Sequence, residues 1–172
     1  PRVTIQLLQG FVMAEQVLVD SLDLSWITIT GVDAETIINR SALTKPILWV
    51  YPPFGGQNGG FLPIIDQLFN MDTTGTSDNR YGIFVCENSQ AIIRGGAGIK
   101  NAVGYALYAY NSSIIKANGS VVSSTGWAAY ATNGSIINAN NCNVLSGTPN
   151  GFYIEYGSII SAYGTTATTH QP

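Results

Sequence analysis

The sequence predicts an all-β fold: a solenoid of the parallel β-helix kind, with about 22 residues in each coil. Three observations carry that expectation. Four segments can be laid under one another: "GIFVCENSQAIIRGGAGI" from Gly82, "GYALYAYNSSIIKANGSV" from Gly104, "GWAAYATNGSIINANNCNV" from Gly126 and "GFYIEYGSIISAYG" from Gly151. Each opens on Gly, runs through an alternating stretch and reaches an isoleucine pair; the pairs Ile92-Ile93, Ile114-Ile115, Ile136-Ile137 and Ile159-Ile160 recur after 22, 22 and 23 residues. The segments are rich in β-branched and aromatic residues punctuated by Gly and Asn, which suits strands and turns, and the period is too short for a pair of packed helices. Matching asparagines, Asn111 with Asn133 and Asn118 with Asn140, fall at expected turns, where Asn tolerates a left-handed backbone and can bond its equivalent one coil away.

The elements follow in order within a single domain, 1–172. The opening "PRVTIQLLQG" has neither an initiating Met nor a secretory apolar core and reads as part of a longer chain. Residues 16–44 read as imperfect coils: Val17/Val19 and Leu22/Leu24/Trp26 alternate, "TGVDAE" turns, and "IINRSALT" continues the wrapping. Residues 45–80 are expected to hold a loop excursion and the strand leading back into the repeat. "KPILWVYPPFGGQNGGFLP" from Lys45 carries four of the seven prolines and four glycines, and its aromatics Trp49, Tyr51, Phe54 and Phe61 favour a packed excursion. Residues 81–163 are the regular coils and 164–172 a tail.

Alternation assigns faces. In the first strand of each coil, Ile83/Tyr105/Trp127/Phe152 and Val85/Leu107/Ala129/Ile154 share the parity assigned to the interior. The opposite parity displays Phe84/Ala106/Ala128/Tyr153 and Cys86/Tyr108/Tyr130/Glu155. In the second strand, Ala91/Ser113/Ser135/Ser158, Ile93/Ile115/Ile137/Ile160 and Gly95/Ala117/Ala139/Ala162 suit a narrow interior, which leaves Ile92, Ile114, Ile136 and Ile159 outward beside Arg94, Lys116, Asn138 and Ser161. Four outward isoleucines would each gain about 1.5 to 3 kcal/mol from full burial. A parallel homo-oligomer arranged about a common axis would bury every copy alike, so these four form the expected oligomer interface; the bland alternative is that kinked corners tuck both members of each pair inside.

Composition narrows the functions. With charged residues at 10%, a net charge of −3 and seven scattered Lys and Arg, the chain offers no basic track for nucleic acid. It contains no apolar run long enough to insert in a membrane, a length of about 20 residues. Cys86 and Cys142 occupy non-equivalent repeat positions without metal-ligand spacing, so two free thiols, compatible with assembly in a reducing cytoplasm, are expected, with no metal and no cofactor.

Chemistry is thinly supported. Glycoside cleavage needs two carboxyl groups about 5 to 9.5 Å apart, and the weak candidates are Asp66 with Asp72, or Asp20 with Asp23; the rest of the acids, Glu15, Asp33, Glu35, Asp78 and Glu87 among them, read as turn and solvated residues. The sole histidine, His170, sits beside the chain end, and GxSxG is absent, which argues against a Ser-His-Asp site. "RGGAGIK" lacks the spacing of a phosphate loop and reads as a coil turn. Aromatic binding is better supported: Tyr108, Tyr130 and Tyr153 with Glu155 form a candidate glycan-binding set, flat rings beside polar groups, with packing against another subunit or a loop as the equally weighted competing role. Trp127, Tyr105 and Phe152 are assigned to the core.

The combination of "DLSWITITGVDAETIINRSALT", "LPIIDQLFNMDTTGTSDNRYGIFV" and coils of the "GYALYAYNSSIIKANGS" type resembles the right-handed, pectate-lyase-like parallel β-helix of bacteriophage tailspike and tail-fibre proteins, over residues 16 to 163. The resemblance implies a homotrimeric virion appendage, assembled in the host cytoplasm, that recognises bacterial surface polysaccharide. Many such proteins also cleave that polysaccharide or remove its ester groups, but they share no fixed motif that would transfer a catalytic residue here. Three functions are therefore carried forward: a structural and receptor-binding module, a polysaccharide hydrolase or lyase fragment, and a bacterial surface adhesin.

Overall fold

A computed structural model of the chain describes residues 2–8, 11, 17–31, 36–39, 54–66, 69–72, 81–94, 96, 98–102, 104–124, 126–144 and 150–167. They form a parallel β-solenoid with about four regular turns and no helix among the described residues. Strand β1 (Val3–Leu7) lies at the N-terminal end. Two wider coils follow: β2 (Val17–Asp20), β3 (Ile27–Gly31) and β4 (Thr36–Asn39), then β5 (Phe54–Gln57), β6 (Ile64–Ile65) and β7 (Phe69–Asp72). Four compact coils stack on these. They comprise β8 (Tyr81–Cys86), β9 (Gln90–Ile92) and β10 (Gly98–Ala102); β11 (Tyr105–Tyr110), β12 (Ile114–Lys116) and β13 (Val121–Ser124); β14 (Trp127–Ala131), β15 (Ile136–Asn138) and β16 (Asn143–Val144); and β17 (Asn150–Ile154), β18 (Ile159–Ser161) and β19 (Thr166–Ala167).

Equivalent strands pair in parallel to build three faces. The tyrosine face is β2-β5-β8-β11-β14-β17, the valine face β4-β7-β10-β13-β16-β19, and the isoleucine face β9-β12-β15-β18. Sheet β1-β3-β6 extends the isoleucine face downward through the bridges Ile65↔Ile93 and Phe61↔Gln90. Ile115 and Ile137 pair directly, so the repeat is a true stack.

Phe54–Gln57, assigned above to the loop excursion, is instead a strand paired with β2 and β8. Its Gly55 and Gly56 are buried, and a Cβ on Gly56 would crowd Ser89 Cβ of the next coil at 3.3 Å. Thr166–Ala167, assigned to the tail, pairs with β16. Trp49, Tyr51 and the rest of 40–53 lie outside the described residues.

The first regular step is longer than the sequence alignment gave it. Ser89 and Ser113 are 24 residues apart, whereas Ser113–Ser135 and Ser135–Ser158 are 22 and 23 apart. One extra residue sits in the turn that follows Arg94, and another enters at the register shift between Ile99 and Ala102. Every row through β8 and β9 therefore moves by two positions, Ile83 stacking on Leu107, Phe84 on Tyr108 and Ala91 on Ile115, while Gly98 and Ile99 move by one. In the last described coil the slip runs the other way: aligning the leading glycines set Phe152 25 residues after Trp127, whereas the strands pair 23 residues apart, so Phe152 stacks on Ala129. A slip of two residues preserves the inside-outside parity, so the wrong register by itself leaves the faces unchanged; the exceptions are at strand starts, where Ala106 and Ala128, assigned outward, are fully buried.

The interior is a narrow column of Ile, Leu, Val and Ala in which Ile83, Leu107, Ala129, Val85, Ala109 and Ala131 are buried. Ala91 and Ile93 in one coil are matched by Ile115 and Ala117 in the next, all buried: the order is exchanged while the volume is kept. At the corner after the tyrosine face the chain makes the same turn five times, through two successive left-handed residues: Asn58–Gly59, Glu87–Asn88, Asn111–Ser112, Asn133–Gly134 and Tyr156–Gly157. The N–H of the second residue donates to the carbonyl of the first residue one coil up, as Gly59 to Glu87, Asn88 to Asn111, Ser112 to Asn133 and Gly134 to Tyr156. Asn and Gly dominate because they bear φ > 0 at least cost, and Asn133 Nδ2 donates to Asn111 Oδ1 at 3.0 Å, the asparagine rung the sequence led us to expect. Asn140 Oδ1 accepts from Ser161 Oγ and Tyr163 N, so its rung is polar but not asparagine on asparagine.

A buried serine ladder runs beside this corner. The N–H groups of Ser89, Ser113 and Ser135 donate to Oγ of Ser113, Ser135 and Ser158 at 3.2, 3.1 and 3.1 Å. Ser89, not Ala91, is thus the first member. One coil below, Gly60 turns its own N–H to Gln57 O, which leaves Ser89 Oγ buried without a hydrogen-bond partner.

Candidate functional site

The tyrosine face carries the candidate site. Phe84, Tyr108, Tyr130 and Tyr153 occupy one outward row on β8, β11, β14 and β17. In-register parallel pairing sets the ring spacing: centroids lie 5.0 Å apart for Phe84–Tyr108, 4.8 Å for Tyr108–Tyr130 and 5.1 Å for Tyr130–Tyr153. Tyr108 and Tyr130 are stacked with only 8° between ring planes. Tyr105 and Trp127, expected in the core, instead join this outer layer half-buried, Tyr105 4.9 Å from Tyr130 and Trp127 4.8 Å from Tyr153. Their place inside is taken by Ala106 and Ala128, which are fully buried, because a ring at the strand's start can fold back along the outer surface while the narrow interior accepts only a methyl. Phe152 is half-buried against the core, as assigned.

Glu155 closes the row. Its two carboxylate oxygens accept from Tyr130 Oη at 2.6 Å and Tyr153 Oη at 2.7 Å, charge-assisted bonds at the short end of the range. These hydroxyls, Tyr130 first and Tyr153 second, hold the Glu155 carboxyl below its usual range. Burial, then the bond to Glu155, pushes the Tyr130 phenol well above its usual range, and the bond to Glu155 raises Tyr153. The four residues named from sequence are therefore together, but arranged differently from a bare sugar platform. The faces of Tyr108 and Tyr130 cover each other and the carboxylate is occupied, so the middle of the ladder offers ring edges to a ligand.

The isoleucine face places Ile114, Ile136 and Ile159 in one outward row and Ile115, Ile137 and Ile160 behind them. Ile136 is 40% and Ile159 57% exposed, whereas Ile115 and Ile137 are fully buried, so the corners do not tuck both members inside. Ile92 belongs to the adjacent row, paired with Lys116 rather than Ile114, for the two-residue reason given above.

The acidic candidates have local partners. Asp66 forms an ion pair with Arg94 at 3.1 Å, and the side chain of Asp72 lies outside the described residues. Asp20 accepts from Gln57, Asn58 and Ser21, which lower its carboxyl, and pins the second coil's turn to the first. Asp23 accepts from the N–H of Ser25 and is likewise lowered. Cys86 and Cys142 are free and buried; burial, then the charges of Glu87 and Asp20, pushes the Cys86 thiol up to about 11, so it stays protonated and unreactive. Among the described residues no group of three His, Cys, Asp or Glu side chains is placed to hold a metal ion.

Sequence reasoning passed over Tyr156 and Tyr163, the two most exposed large hydrophobic side chains among the described residues, at 76% and 83%. The available signal was "YG" at both turns of the last segment, where the preceding coils carry Asn or Glu. Compared with known proteins, the chain matches no family model, no curated protein and no solved structure.

Proposed function

We propose that the chain is a structural and receptor-binding module of a phage tailspike or tail fibre, which recognises bacterial surface polysaccharide as a homotrimer and carries no catalysis of its own. The supporting observation is a charge-poor outer surface on which an aromatic ring recurs at every regular coil, Phe84 and then Tyr108, Tyr130 and Tyr153, beside an apolar Ile114/Ile136/Ile159 row on another face. A rigid parallel stack presents such side chains at one fixed spacing without ordering cost at binding, which favours an extended, repetitive ligand. The isoleucine row gives each copy the same stripe, which cyclic symmetry would cover equally in all copies. Absolute molar mass in solution tests the assembly: a value near three chains is expected, and a monomer at all concentrations removes the homotrimer. Binding to immobilised bacterial polysaccharides tests the recognition, with release of reducing sugar from the same polysaccharides as the outcome that would replace a binding module by a depolymerase.

A further inference from the structure

We propose that Asn118, at the corner between the isoleucine and valine faces, is a site of spontaneous deamidation with water as the co-reactant, while the same Asn-Gly pair at Asn58 and Asn133 is protected by the fold.

Asn followed by Gly occurs at 58–59, 118–119, 133–134 and 150–151. Such a pair is reactive because glycine has no side chain to obstruct its own nitrogen. The Gly nitrogen attacks Cγ of the asparagine; the N–Cγ bond forms, the Cγ–Nδ2 bond breaks, and the proton of the Gly N–H leaves with the side-chain nitrogen as ammonia. Water then opens the resulting cyclic imide at either carbonyl, giving Asp or isoAsp and a new negative charge. The attack requires the asparagine side chain to swing onto the following nitrogen, so whatever holds that side chain slows the reaction.

In three of the pairs the glycine N–H donates to the coil above: Gly59 to Glu87 O, Gly119 to Asn140 O and Gly134 to Tyr156 O. That bond must open locally in each, so it does not separate them. The side chains do. Asn58 Nδ2 donates to the Asp20 carboxylate at 3.0 Å, and Asn133 Nδ2 to Asn111 Oδ1 at 3.0 Å. Asn118 is exposed, and its side chain makes no hydrogen bond among the described residues. The side chain of Asn150 lies outside the described residues, and its backbone is extended in β17, paired with β14.

Asn138 is the cause of the difference. One coil up, Asn140 stands in the position of Asn118, and its Oδ1 accepts from Ser161 Oγ at 2.8 Å and Tyr163 N at 2.9 Å. The groups equivalent to these for Asn118 are Asn138, which pairs with Ser161, and the N–H of Asn140. Asn138 Oδ1, however, takes that N–H for itself at 3.2 Å. An amide in place of the serine hydroxyl thus bonds within its own turn and leaves Asn118 without a donor. Gly119 adds to the openness, because a Cβ there would meet nothing within 4 Å.

The test keeps the whole folded chain at mildly alkaline pH beside the same chain in denaturant, and follows Asp and isoAsp at each pair by peptide mass mapping. In denaturant the four pairs are expected to react alike. In the folded chain Asn118 is expected to lead Asn133 severalfold and Asn58 by roughly tenfold, the worth of a bond to a charged group. Asn138→Ser, which copies the coil above, is expected to slow Asn118 severalfold. Asn111→Gly, equally suited to the left-handed corner, is expected to speed Asn133. Thermal unfolding reads whether each variant keeps the fold, and the comparison of sites in the parent chain decides the matter without them. Reaction at Asn118 no faster than at Asn58, Asn133 or Asn150 in the folded chain overturns the proposal, as does a rate at Asn118 left unchanged in a stably folded Asn138→Ser.

Discussion

The coil that starts at Tyr105 and the coil that starts at Asn150 have nearly the same inward pattern, yet they are buried very differently. Ala109 and Ala131 are fully covered, while Ile154, paired with Ala131 in the same inward row, is 48% exposed. The left-handed corner is Asn111–Ser112 in one and Tyr156–Gly157 in the other. The lesson is that in a stack each residue's environment is set largely by the layer above it and not by its own coil. A middle coil has two neighbours and the last described coil has one, so identical side chains do different work: Ile137 holds the interior and Ile160, its partner one coil up, is only half-buried.

That difference can be broken most sharply at the isoleucines. Ile137→Ala should cost about 2 to 5 kcal/mol, since it empties a fully buried site between two layers, and Ile160→Ala clearly less, as read from urea unfolding of both. Equal losses would mean that the last coil is as enclosed as the middle ones.

The serine ladder gives a smaller contrast. Ser135→Ala leaves the buried N–H of Ser113 without its acceptor, at a cost of about 1 to 3 kcal/mol. Ser158→Ala does the same to the N–H of Ser135, but Ser158 is half-buried and water can substitute, so a smaller loss is expected. Amide exchange at Ser113 and Ser135 would resolve the two sites directly.

The mildest effect concerns acid. Glu155 has a folded-state pKa lowered from 4.5, so its contribution is present above that value and fades as pH falls through the lower folded one. Tyrosine near-ultraviolet dichroism should therefore change as the solution is acidified below about pH 4.5, and Glu155→Gln should flatten that change. An unaltered transition in the variant would show that the Tyr130–Glu155–Tyr153 bridge does not anchor the last coil to the one beneath.

Much of this molecule was legible in the string of residues because a stack repeats its demands. Parity marked Ile115 and Ile137 as inward, and Ile114, Ile136 and Ile159 as outward; Tyr108 and Tyr130 aligned because 22 residues separate them in sequence and in register. The Asn111–Asn133 rung followed from the needs of a left-handed corner. Where spacing drifted, sequence alignment failed: an extra turn residue and a register shift hid the match of Ser89 with Ser113 and of Ile92 with Lys116, because matching Ile pairs is a stronger visual cue than a silent insertion.

The sequence by itself determined the in-and-out order through the middle of the strands, since a β-strand alternates whatever lies around it, but not at their starts, where Ala106 and Ala128 are buried in place of Tyr105 and Trp127. Tertiary structure alone decided which neighbour each side chain meets: that Tyr105 and Trp127 fold onto the outer layer, that the stacked rings conceal their faces, that Glu155 is bridged by two hydroxyls, and that Tyr156 and Tyr163 stand free. Those facts depend on the register between coils and on the presence or absence of a layer above, and neither is a property of a single coil's residues.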